Sequence, residues 1–338
     1  MQEELAMSVA KKITMKEIAE KCGVGKSTVS RYFNGGYVRE ETRQKIADVI
    51  ARYNYEPNAF ARLKAKESKM IGIIAPCLDS TVTSKVMMSI DRHLREAGYS
   101  TLIINTDHQE ELELQYLERL WRMKVDGLIL SATHLSEAHH RLLAQIDIPI
   151  VVVAQRYEEG VCIINDDYYG GKFVGTYIGE RHHRSVACLC VDTWDEAIGV
   201  VRRKGIMDGL HESGVNDICV YLSDFSLEHA CEQVGKILDE HTIDALICST
   251  DRQALGAYKV IRERGLRIPE DISVISFGGY DVSELLTPQL ATVRFDTEYS
   301  GKCCARTILK MLRGEKVQTP QYVNYTFIKG ESVSIRRP

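Results

Sequence analysis

A chain of 338 residues carrying 43 Lys+Arg and 47 Asp+Glu, with a formal charge of -4, is too long for one ordinary core, so two or three domains are expected. At 44% hydrophobic and 27% charged, its composition is that of a globular protein, not a disordered or collagen-like one. It holds no run of about 18 apolar residues, and the opening MQEELAMSVAKKITMKEIAEK lacks the basic and apolar blocks of a secretory signal. Neither a membrane partner nor export is therefore expected. The ten cysteines are scattered through apolar runs (Cys77, Cys162, Cys188, Cys190, Cys248), which suits reduced, buried thiols in a cytoplasmic protein.

The small net charge hides an asymmetry. Residues 11 to 66 carry 13 basic side chains against six acids, a local +7 that leaves -11 elsewhere. A basic end on an acidic body suits a polyanion binder, because the first attracts phosphates and the second is held off.

In chain order, Thr14 and Glu17 have capping-box spacing at the start of MKEIAEKCG, where Ile18, Ala19 and Cys22 share a face and Gly23 supplies a stop. Val24 re-enters the core, and GKSTVSRYFNGG follows as a second short helix. It buries Val29 and Phe33 and turns Lys26, Ser27, Ser30 and Arg31 outward. The third helix, ETRQKIADVIARYN, repeats apolar residues at Ile46, Val49 and Ile50. Two short helices joined by a tight Gly-containing turn can set a polar face into a DNA major groove.

The run ITMKEIAEKCGVGKSTVSRYFNGG, the ETR start and the YEPNAFAR end, in that order, closely resemble the headpiece of the LacI/GalR family of bacterial transcription regulators. The resemblance extends over about residues 13 to 330. It implies base contacts from Lys26, Ser27 and Arg31, and phosphate contacts from Thr14, Gly25, Thr28, Ser30 and Asn34. Lac repressor is itself a standard case of this docking geometry, so the groove assignment comes with the resemblance. Pro57 ends the third helix, and Asn58 is placed to cap AFARLKAK. The resemblance makes this segment a hinge helix that folds on operator DNA, with Asn58, Ala61, Arg62 and Leu63 at the minor groove and Leu63 as the wedge. Here AR is followed directly by Leu63, one residue sooner than in the family's AR-x-L.

From residue 71 short apolar runs (MIGIIAP, STLIINT, DGLILSA, IPIVVVA, SVACLCV, ICVYLS, DALICST, ISVISFG) alternate with amphipathic helices. Such strands, buried on both faces, specify parallel doubly wound sheets, and they are too numerous for one compact sheet. The fold expected is an all-α helix-turn-helix headpiece (1–58), a hinge (59–70) and an α/β core (71–338) of two periplasmic-binding-protein-like lobes. Lobe one spans about 71–164 with a return at 297–326, and lobe two about 165–296 with the tail 327–338.

Ligands in such sheets lie beyond the carboxyl ends of the strands. That rule singles out Asp79, Ser80, Thr83, Arg156 and Asp166. Ser80 and Thr83 are equally suited to helix capping. The resemblance adds Arg202 as the fork onto sugar hydroxyls, Phe225 as the ring packed on the sugar face, and Asp251, which is also a natural N-cap. Two positions depart from the family: its FDD segment reads Phe277-Gly278-Gly279, and the frequent Gln of TVRQD is Phe295. These changes weaken the case for a plain monosaccharide. They turn attention to disaccharides or sugar phosphates, with Arg156, Arg202 and Arg203 available to a phosphate and sucrose- or trehalose-type regulators as look-alikes.

Catalytic signatures are missing. GKST at 25–28 lacks the earlier glycine and the strand of a phosphate loop, and there is no G-x-S-x-G elbow. The His139-His140 and His182-His183 pairs and Cys188/Cys190 read as structural, so no metal and no cofactor is expected. The function expected is therefore a non-enzymatic, nucleoid-associated repressor of a carbohydrate-use operon. It would bind a palindromic DNA operator as a homodimer and be released from it, or tuned on it, by a sugar or sugar-phosphate effector. A sugar-binding module without gene control, or a regulator worked by a phosphorylated partner protein, are the alternatives. The tail after Gly330 has no leucine heptad for tetramer formation.

Overall fold

The computed structural model describes residues 13–33, 36–53, 55 and 68–336. Contacts divide the chain into two units, Met1–Lys69 and Met70–Pro338.

The first unit holds three helices: α1 (Met15–Cys22), α2 (Lys26–Phe33) and α3 (Glu40–Tyr53). Thr14 and Glu17 close a reciprocal capping box, and Gly23 ends α1 with a φ of 65°, a left-handed conformation that glycine takes without strain. Val24 N–H then donates back to the Ala19 carbonyl. Ile13, Ile18, Ala19, Val29, Val38 and Ile46 form the small core, with Cys22, Phe33, Val49 and Ile50 half-buried against it.

The second unit contains two six-stranded sheets. In chain order its elements are β1 (Met70–Ala75), α4 (Thr81–Glu96), β2 (Ser100–Asn105), α5 (Glu110–Arg122), β3 (Gly127–Ser131), α6 (Glu137–Leu143), β4 (Ile150–Val153) and β5 (Val161–Asn165). There follow α7 (Asp167–Gly179), β6 (Ser185–Cys190), a π-helical segment (Glu196–Arg202), α8 (Arg203–Glu212), β7 (Asp217–Leu222), α9 (Leu227–Glu240) and β8 (Ala245–Cys248). Last come α10 (Asp251–Glu263), β9 (Ser273–Phe277), a short 3₁₀ turn (Asp281–Leu285), β10 (Ala291–Phe295), α11 (Thr297–Leu312), β11 (Gln321–Val323) and β12 (Tyr325–Ile328).

The sheets run β11-β5-β4-β3-β1-β2 and β12-β10-β9-β8-β6-β7. Every pairing is parallel except β10 with β12. Successive strand residues are buried on opposite faces. Ile74, Leu130 and Val152 pack with Leu117 and Leu143, whereas Ile73, Ile129 and Val151 belong to the cluster containing Ile90 and Ile308. That double burial is why these strands read as unbroken apolar runs.

The chain passes between the lobes between β5 and α7, between β10 and α11, and at Asn324. The last crossing comes slightly before the expected residue 326. Adjacent crossings are tied by Asp166 N–H to the Val323 carbonyl (3.2 Å) and Asp296 N–H to the Asn324 carbonyl (3.3 Å). α7 and α8 pack at glycine faces: a Cβ on Gly205 would lie 2.1 Å from the Tyr168 carbonyl oxygen, and one on Gly171 2.3 Å from that of Arg202. This close approach brings Asp167, at the start of α7, against Arg202, just before α8.

All ten cysteines are free thiols. Burial pushes the Cys190 thiol up to about 11, so it stays protonated and serves as packing. His139 lies against Glu113 (3.2 Å) with both side chains buried, and its backbone N–H is capped by Ser136. His183 meets Ser273 Oγ through Nε2 (2.9 Å) and the Ile178 carbonyl through Nδ1 (3.2 Å). Among the described residues, no group of three or more His, Cys, Asp or Glu is arranged to hold a metal, and no helix is long and apolar enough to cross a membrane.

Candidate nucleic-acid interface and ligand cleft

On the first unit, Gly25, Lys26, Ser27 and Arg31 are exposed, and Thr28 and Ser30 are half-buried over Val29. Arg31 folds along its own helix, its Nε donating to the Ser27 carbonyl (3.4 Å) and Nη2 reaching Thr28 Oγ1 (3.5 Å). These weak intrahelical contacts leave the guanidinium free to exchange them for another acceptor. Thr14 Oγ1 caps α1, which fixes the start of that helix. Asn34, Asn58, Ala61, Arg62 and Leu63, with the hinge register they define, lie outside the described residues.

In the second unit a cavity of about 480 Å³ opens between the lobes at the carboxyl ends of the strands. From lobe one it is lined by Asp79, Ser80, Thr83, Asp107 and His108, and from lobe two by Trp194, Asp195, Arg202, Asp224 and Phe225. Several of its polar side chains cap the helices that face it. Ser80 accepts from Thr83 N–H at α4, Ser226 caps α9 and Thr250 caps α10. Asp195 accepts from Ile198 N–H at 3.0 Å, capping the π segment.

Arg202 is the best-held side chain of the cleft. It is 5% exposed, and its Nε and Nη2 donate to Asp167 Oδ1 at 2.8 and 2.6 Å while Nη1 donates to the Ser249 carbonyl at 2.7 Å. The guanidinium lies over the rings of Phe277 (4.6 Å) and Phe295 (5.6 Å). Phe277, the Phe that the family's FDD shares, and Phe295, one of the two departures, thus furnish an apolar floor under this arginine. Opposite, His108 stacks on Phe225 at 5.5 Å and 14°, and Trp194 meets both rings edge-on. Burial holds His108 below its ordinary value, so the ring is neutral near pH 7.

Two further contacts cross the cleft. Arg252 donates to the Asp79 carboxylate and carbonyl, both at 2.7 Å, and holds that carboxyl below the usual range. Gln155 Nε2 donates to Asp195 Oδ1 at 3.1 Å. Asp195 is 4% exposed, and desolvation pushes its carboxyl up to about 6 against the two hydrogen bonds it accepts.

Four sequence expectations are corrected. Asp166 does not line this cleft; its neighbour Asp167 does, because α7 begins there. Arg156 is exposed and paired with Glu158 (2.5 Å). It lines, with Asp166 and Tyr322, a separate cavity of about 530 Å³ beside the first. Arg203 is not among the lining residues of either. Asp251 is fully buried and its oxygens are saturated: Oδ1 accepts from Ser276 (2.5 Å) and Thr292 (2.6 Å), Oδ2 from Tyr280 N–H and Ser283 (both 2.7 Å). The N-cap of α10 is Thr250, so Asp251 neither caps nor faces ligand; it ties β9, β10 and the 3₁₀ turn together. Residues that sequence reasoning passed over are His108, Gln155, Trp194, Asp195 and Arg252. Trp194 and Asp195 follow β6, and the strand-end rule reaches them.

Residues 68–328 match the family described as periplasmic binding proteins and sugar binding domain of LacI family, and residues 14–58 match bacterial regulatory proteins, lacI family. The chain belongs to the LacI family. It is a DNA-binding transcription regulator with a sugar-binding type of core, and members of the family are regulators, not enzymes. It is 31% identical over 304 residues to the sucrose operon repressor of Staphylococcus xylosus, covering 89% of this chain and 94% of that protein. It is 30% identical over 315 residues to the HTH-type transcriptional regulator DegA of Bacillus subtilis, covering 90% and 93%. Among solved structures, a lac repressor dimer bound to operator and an anti-inducer superposes with a TM-score of 0.87 at 24% identity, over 96% of this chain and all of that one. A CelR–cellobiose complex gives 0.72 at 22%, over 95% of this chain and all of that one.

Proposed function

We propose that this regulator is a cytoplasmic repressor of a carbohydrate-use operon. It binds a palindromic operator as a homodimer, and a sugar held between the lobes of the core releases it. One observation carries the ligand part: a cavity of about 480 Å³, lined from both lobes, at the strand ends where doubly wound sheets take ligands. Arg202, Asp195 and Thr250 supply polar contacts there, and Trp194 and Phe225 supply ring faces for the apolar side of a sugar. Support for the DNA part comes from the capped α1 and the α2 that follows it, with Lys26, Ser27 and Arg31 exposed on the more basic end of the chain. In this reading Lys26, Ser27 and Arg31 face base edges, and Thr14, Gly25, Thr28, Ser30 and Asn34 face phosphates. Asn58, Ala61, Arg62 and Leu63 serve the minor groove.

A ligand that favours the closed, released state by about 2–3 kcal/mol shifts operator occupancy roughly 30- to 150-fold. The test is fluorescence anisotropy of the full chain on an operator fragment, titrated with a panel of sugars. At least one sugar is expected to raise the apparent Kd by tenfold or more. No response to any sugar would refute the effector role.

A further inference from the structure

The charge of the cleft narrows the ligand beyond the word sugar. Its lining holds five carboxylates (Asp79, Asp107, Asp167, Asp195 and Asp224) against two guanidinium groups, Arg202 and Arg252. Both arginines are already engaged by carboxylates, Arg202 by Asp167 and Arg252 by Asp79. Three acids remain without a cationic partner of that kind. Asp195 has its Oδ1 occupied by Gln155 and the Ile198 N–H, on the cleft side of the π segment. Asp107 stands beside His108 at the lobe-one rim, and Asp224 at the lobe-two rim, where it accepts from Ser226 N–H (2.8 Å) and Oγ (2.6 Å) and faces the His229 ring at 3.5 Å. The other lining side chains are mostly apolar or hydroxyl-bearing.

Resting on the sugar reading above, we propose that this cleft selects an unphosphorylated disaccharide and rejects its phosphate ester. A phosphate brings charge of the same sign into a walled, partly desolvated space and finds no unengaged guanidinium there. Ionised carboxylates accept hydrogen bonds only, so the site requires a donor-rich partner, which a neutral sugar's hydroxyls provide. The ring-bearing wall His108–Phe225–Trp194 gives one sugar ring an apolar surface, and the cavity of about 480 Å³ leaves room beside it for a second ring under Arg202. Asp107, Asp195 and Asp224 are thus specificity-determining residues that act partly by repulsion.

The experiment is isothermal titration of the full chain with sucrose, trehalose, maltose and cellobiose, and with the 6-phosphate esters of sucrose and trehalose, at fixed pH and ionic strength. The expected result is binding of at least one free disaccharide, with sucrose or trehalose bound tenfold or more tighter than its own ester. The double variant Asp107→Asn/Asp224→Asn, both exposed and outside the packed core, should narrow that ratio toward unity by improving ester binding. Equal or tighter binding of an ester by the unaltered chain overturns the charge argument while leaving the sugar reading intact. Failure of all six compounds to bind overturns the disaccharide proposal, and the sugar reading falls with it only if the wider sugar panel also releases no operator. An unchanged ratio in the double variant removes Asp107 and Asp224 from the selection.

Discussion

At the scale of single residues, the cleft holds polar groups in conditions that cost stability. Asp195 titrates near 6 in the folded chain, against an ordinary 3.8. The native state therefore binds its proton more tightly than the unfolded chain does, so the stability linked to this group falls as pH rises from about 4 to about 6 and is flat above. Asp195→Asn keeps an acceptor for Gln155 and Ile198 but carries no charge. It should stabilise the core by about 2–3 kcal/mol at pH 7.5 and by almost nothing at pH 4. Urea unfolding at the two pH values checks this, and an equal effect at both would contradict the burial argument. Arg202 behaves oppositely. Arg202→Ala leaves Asp167 buried without its partner, at a cost of about 3–5 kcal/mol, so the loss of sugar response is expected together with a lowered unfolding midpoint. Arg31→Ala, on an exposed position, should instead leave stability unchanged. It should lower discrimination between operator and scrambled DNA by about 1–3 kcal/mol, with a smaller loss of nonspecific affinity.

At the scale of elements, how much could be read in the sequence varied with how local the determining interaction is. The headpiece helices were legible because capping is a matter of near neighbours: Thr14, Glu17 and Gly23 sit within one short stretch and set both ends of α1. The strands were legible because double burial demands continuous apolar runs. The cleft was only partly legible. Asp79, Ser80, Thr83, Arg202 and Phe225 line it as the strand-end rule and the resemblance suggested, but Asp251 and Asp166 do not. Which of two adjacent acids enters a cavity depends on where a helix begins, and whether a carboxylate is already saturated depends on strands 25 to 41 residues away in sequence. Neither is a local property. The π segment Glu196–Arg202 likewise has no local signature, although Asp195, which caps it, and Arg202, at its end, both line the cavity. The α7–α8 contact offers a test at this scale. Gly205→Ala places a methyl 2.1 Å from the Tyr168 carbonyl oxygen and must push the two helices apart. A cost of about 1–3 kcal/mol is expected, together with a weakened sugar affinity as Asp167 and Arg202 shift. Normal affinity in a folded Gly205→Ala chain would separate that packing from the site.

At the scale of the whole molecule, two units divide the work by charge and by chemistry. The net positive charge lies in residues 11 to 66, whereas the excess of acids and the ligand cavity belong to the remainder. DNA affinity should therefore fall steeply with salt, as counterion release requires, while sugar affinity, which involves an uncharged ligand, should barely respond. Coupling between the units is a matter of differential affinity, and it must be reciprocal: a sugar that weakens DNA binding is itself bound more weakly by the DNA-bound protein, by the same factor. The most direct measurement is selection of the full-length chain against a random double-stranded DNA pool, followed by anisotropy of the enriched sequence with and without sucrose and the other free disaccharides. The account predicts an enriched sequence with two-fold symmetry, from which one of these sugars releases the protein. Enrichment of no sequence over the random pool, or an enriched site whose occupancy none of the sugars alters, would contradict it.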